Sequence, residues 1–123
     1  MIKKTLGIIL GILVFAGQAW SGGYNTITAQ DLNQRIKQGP PVILIDICPV
    51  EQFAKGHISN SIETNAYPVK TDAEKARLDK VMEKITGSSL DVVIICPKGG
   101  GGARNTFDYF KSKGVVEKRL LIL

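Results

Sequence analysis

Histidine, cysteine and tryptophan are nearly missing from this chain: its 123 residues hold one histidine, two cysteines and one tryptophan. One imidazole and two thiols are too few donors for a metal centre, so no metal is expected. A strong charge of one sign is missing as well. Sixteen basic residues stand against eleven acidic ones for a net charge of +5, and the lysines are scattered. Without a clustered basic patch, nucleic-acid binding is not expected. There is no internal repeat and no disordered linker, so the sequence reads as one domain with one core.

An apolar run opens the chain. Met1-Ile2-Lys3-Lys4 is a short basic start, Leu6 to Ala16 is almost wholly apolar, and Gly17-Gln18-Ala19 and Ala19-Trp20-Ser21 offer small residues where a signal peptidase reads. The run is short for a membrane span, so residues 1–21 are expected to be a secretory signal peptide. The alternative is an uncleaved anchor, the only membrane contact expected. No cysteine lies near the cleavage region, which argues against a lipoprotein. Cleavage after Ser21 would leave residues 22–123 with a charge of +3, in a periplasmic or secreted protein.

Beyond Ser21 the pattern alternates between helix and strand. Thr28 can cap a helix over Ala29–Gln38, with Leu32 and Ile36 on one face and Gly39-Pro40-Pro41 as the stop. Val42 to Ile47 is a continuous apolar run, as in a strand buried on both faces. A helical turn near Glu51–Ala54 and a weaker extended piece near Ser61–Asn65 follow. Asp72–Ile85 is amphipathic, with Leu78, Val81, Met82 and Ile85 on one face. Val92–Ile95 is a second buried strand, Arg104–Lys113 a helix with Phe107 and Phe110 inward and Gly114 as its cap, and Leu120–Leu123 a last strand. This order predicts an α/β domain of three layers, a mostly parallel central sheet with helices on both faces.

In such sheets ligands bind beyond the carboxyl ends of the strands. Cys48 and Cys96 each follow a strand there. Cys96 carries the stronger signal: Pro97-Lys98-Gly99-Gly100-Gly101-Gly102-Ala103-Arg104 follows it, a glycine-rich loop leading into a helix. Free N–H groups and a helix N-terminus favour a thiolate and hold an anion beside it. The plainer reading of two cysteines in an exported protein is a disulfide.

Leu44-Ile45-Asp46-Ile47, then Glu51-Gln52-Phe53 and Gly56-His57-Ile58, resemble the rhodanese pattern of strand, acidic residue and E-F-x-x-G-H-I. Strand, Cys96, glycine-bearing loop, Arg104 and helix resemble its second signature. Both occur in the family's order, and with their flanking elements they cover nearly all of residues 22–123. The resemblance implies a rhodanese-like fold and sulfur transfer. Cys96 would be the catalytic thiolate, taking sulfane sulfur from thiosulfate or polysulfide as a persulfide and passing it to a thiol or cyanide. Pro97 through Arg104 would bind the anion. Asp46 would organise the backbone near the loop and His57 would order a turn, with no metal or organic cofactor.

Three departures from the family stand out. Seven residues separate Cys96 from Arg104, where ordinary rhodanese loops have four and the related dual-specificity cell-cycle phosphatases five, so an extended loop and a wider anion pocket are expected. Cys48 stands where the family commonly has arginine, as either a space-filling thiol or one that pairs with Cys96. The family usually continues beyond the last strand with a glycine pair and a tryptophan, so a truncated C-terminal end is expected at Leu123. Two rival functions stay open here. One is a phosphatase or arsenate-reductase-like thiolate enzyme, with Asp72 and Asp91 the only candidate general acids. The other is a non-catalytic domain that binds a sulfur anion or a partner.

Overall fold

The computed structural model describes residues 23–98 and 100–123. The signal-peptide expectation for residues 1–21 and the loop residue Gly99 fall outside the described residues. Four strands, β1 (Val42–Asp46), β2 (Ile62–Glu63), β3 (Asp91–Ile95) and β4 (Leu120–Ile122), form one sheet in the order β2-β1-β3-β4. Every pairing is parallel, so the mostly parallel sheet expected is wholly parallel. The helices are α1 (Ala29–Gln38), α2 (Val50–Lys55), α3 (Asp72–Thr86) and α4 (Gly101–Ser112), and a 3-10 turn over Glu117–Arg119 leads into β4. Among the described residues no helix is long and apolar enough to cross a membrane.

Side chains of successive strand residues point to opposite faces, and both faces of this sheet are covered. Ile43, Ile45 and Ile47 with Val92 and Ile94 pack against Leu78, Val81 and Ile85 of α3 and Ala103, Phe107 and Phe110 of α4. On the other face Leu44 and Val93 meet Leu32 of α1. Ile36 is 47% exposed, so it does not join Leu32 in the core as its spacing predicts. The second face is thin: three buried residues form its centre, with Ile27, Val42, Ile58, Ile95 and Leu121 half-covered around them.

Local chemistry fixes the helix ends. The Thr28 hydroxyl accepts from the N–H of Asp31 and starts α1. Thr71 and Glu74 cap each other's backbone at the start of α3, which supplies partners for N–H groups the helix cannot pair itself. At the end of α4, Gly114 takes a φ of +98°. Its N–H donates to Lys111 and that of Val115 to Phe110, closing the helix as a glycine there can without strain. Ahead of α1, the segment Asn25–Ile27 lies parallel against β4: Ile27 N donates to Ile122 O and Ile122 N to Asn25 O.

Candidate active site at the carboxyl ends of β1 and β3

β1 and β3 run in register with Asp46 beside Ile95, and one further backbone bond, Ile47 N to Ile95 O at 3.0 Å, extends the pairing past β1. Cys48 and Cys96 therefore emerge at the same sheet edge, both half-buried and both free thiols. Cys96 packs against the larger core cluster, and its Sγ lies 3.9 Å from the carbonyl oxygen of Lys98.

The helix expected from Arg104 begins three residues earlier, at Gly101. Pro97, Lys98, Gly99 and Gly100 stand between Cys96 and α4, so three of the seven residues that separate Cys96 from Arg104 belong to the helix. Gly101, Gly102 and Ala103 form the helix's first turn. Gly100 sits just outside, at φ +77°, and offers no side-chain cap. The N–H groups of this turn have no intrahelical acceptor, because the first i→i−4 bond runs from Arg104 N to Gly100 O. The start of α4 thus presents donors and the positive end of the helix dipole beside the Cys96 loop.

Gly102 is buried for a steric reason. A Cβ there would lie 2.7 Å from the Tyr67 ring and 3.0 Å from Ile47 Cδ1. Arg104 is on the fourth residue of the helix and exposed, yet its side chain turns back over the loop: a Cβ on Gly100 would meet its Nη1 at 3.0 Å. Lys98 is exposed.

Asp46 is 2% exposed, and its Oδ1 accepts the N–H of Cys48 at 2.8 Å. It organises backbone as expected, though at the Cys48 turn. Its own carbonyl takes Thr64 Oγ1 and Thr64 N. Burial, and then the Asp46 hydrogen bond and charge, push the Cys48 thiol up to about 12. A charge on Cys96 is a further cause in the same direction.

Sequence reasoning missed Asn65, which holds this turn from below. Its Nδ2 donates to Cys48 O and Glu63 Oε2, and its carbonyl accepts from Arg77 Nη1. Its φ of +56° is one asparagine tolerates better than most residues, but nothing in the local pattern marks it. His57 is exposed and stacks on Phe53, with Nδ1 at 2.8 Å from Phe53 O, so it orders the α2 turn. Asp91 lies at the opposite end of β3 in an ion pair with Arg35, which removes it as a general acid for Cys96. Asp72 opens α3, exposed.

An open parallel sheet with helices on both faces, and a thiol loop that feeds a helix N-terminus, defines an α/β domain with both thiols at the carboxyl edge of the sheet. A family model described as a rhodanese-like domain matches residues 28–123, and the chain belongs to that family. No curated protein and no solved structure matches it significantly.

Proposed function

We propose that this protein is an exported sulfurtransferase that carries sulfane sulfur on Cys96. The observation that carries the reading is the placement of Cys96 one short loop ahead of the uncapped start of α4, with Arg104 folded back over Gly100. Orphan N–H groups and a guanidinium on one side of a thiol suit a divalent sulfur anion and the persulfide it leaves. The Cys96 thiolate attacks the outer sulfur of thiosulfate, the sulfur–sulfur bond breaks, and sulfite departs with the electron pair. A thiol or cyanide then takes the outer sulfur and returns the thiolate. Polysulfide enters the same cycle with a shorter polysulfide as leaving group. Export rests on the basic start, apolar run and small residues of positions 1–21.

The test is thiosulfate-to-cyanide transfer by the reduced protein, with Cys96→Ser beside it. Transfer in the wild type that drops to background in the variant supports the reading. Turnover of an aryl phosphate without sulfur transfer would favour the phosphatase-like rival.

A further inference from the structure

Two nucleophilic side chains share one sheet edge, and sulfur transfer uses only one of them. Inside the β1–β3 ladder the pleat would send Cys48 and Cys96 to opposite faces, because Asp46, not Ile47, pairs with Ile95. Neither cysteine is inside the ladder. The Cys48 N–H is taken by the Asp46 carboxylate, the Ile47 carbonyl by Tyr67 N, and Cys96 opens the loop to α4. The Cys48 turn is thus tied to the Asp46 carboxylate and not to a neighbouring strand, while Cys96 keeps to the face of Val92 and Ile94. One strand spacing and one residue of offset give Cα atoms about 6 Å apart, inside the span of a disulfide.

We infer that Cys48 is a resolving thiol: it attacks the Cys96 persulfide at the Cys96 sulfur, forms a Cys48–Cys96 disulfide and releases the outer sulfur as hydrogen sulfide. The inference rests on the proposed persulfide at Cys96. The step balances without an outside oxidant. The Cys48 S–Cys96 S bond forms as the persulfide bond breaks, the departing sulfane sulfur is reduced to sulfide, and both cysteine sulfurs end as a disulfide. The Cys48 proton leaves with the sulfide. A dithiol reductant then resets both thiols.

The surroundings make this a slow discharge. Cys48 is faced by Asp46 of β1 and by Cys96, and through Asn65 it is linked to Glu63 of β2 and Arg77 of α3. With the thiol pushed up to about 12, little of it is thiolate at neutral pH. An external acceptor therefore has time to take the sulfur first, and resolution gains about tenfold in rate per pH unit below that value.

The experiment loads reduced wild type and Cys48→Ser with thiosulfate, or with inorganic polysulfide, without oxygen. Donor is removed by desalting, and intact mass and released sulfide are followed at rising pH. Wild type should gain one sulfur atom, then lose it as one equivalent of sulfide, ending two hydrogens lighter and restored by a dithiol. Cys48→Ser should keep its added sulfur. Wild type holding the persulfide as long as Cys48→Ser would overturn the inference and leave the sulfurtransferase reading intact. Failure of both proteins to take up sulfur from either donor would overturn both.

Discussion

At the residue scale, the two cysteines differ by what surrounds them. Cys48 is held as a neutral thiol first by burial and then by Asp46, whose carboxylate accepts its N–H and lends negative charge. The thiolate is the reactive form, so a thiol held high resists alkylation near neutrality. In a Cys96→Ser background, iodoacetamide labelling of Cys48 should climb about tenfold per pH unit from neutrality and level only towards high pH. Asp46→Asn keeps an oxygen for the Cys48 N–H but removes the charge, so the levelling point should move down. Labelling of Cys48 as fast as a free thiol at neutral pH would contradict this account.

At the element scale, α4 shows where sequence patterning succeeds and where it stops. The bounds of α1 were legible at Ala29 and Gln38, because a threonine cap opens it and Gly39-Pro40-Pro41 closes it. The buried strands were legible as apolar runs and Gly114 as a helix stop. The start of α4 was not, since glycine is a poor helix former and four in a row read as loop. Tertiary packing decides there: Gly102 admits Tyr67 and Ile47 to the helix surface, and that contact carries the first turn. The Asn65 contacts were hidden for a related reason, as its bond to Cys48 joins residues 17 apart in the chain. Gly102→Ala should cost about 1–3 kcal/mol in thermal unfolding, since the Tyr67 ring must move away. Gly101→Ala meets nothing within 4 Å and should be neutral or stabilising by up to about 1 kcal/mol. Equal effects of the two would contradict the packing argument. Thr71→Ala removes one half of the α3 capping box and should cost about 1 kcal/mol in the same measurement.

At the scale of the whole molecule, the two faces of the sheet are unequal. α3 and α4 bury a broad cluster, whereas α1 holds its face through Leu32 with Leu44 and Val93. Stability should be distributed accordingly, with amides of α1 exchanging faster than those of α4. Leu32→Ala should cost about 2–5 kcal/mol and speed exchange in α1 before the rest of the domain. Uniform loss of protection across all helices would show that the faces unfold as one unit.

The parallel pairing of Asn25–Ile27 with β4 also decides how the domain can be held. Thr26 lies level with Ile122 and Ile94, about 7 Å of strand short of Cys96, and the parallel direction means that the chain reaches it from the side of the strands' amino ends. Leu123, bonded through its N–H to Ile94 O, points the other way, towards the rim that carries Cys96. An affinity tag or a surface linkage joined at Gly23 therefore enters from the side of the strands' amino ends and leaves the thiols facing outward. The same attachment after Leu123 would crowd the rim that carries Cys96.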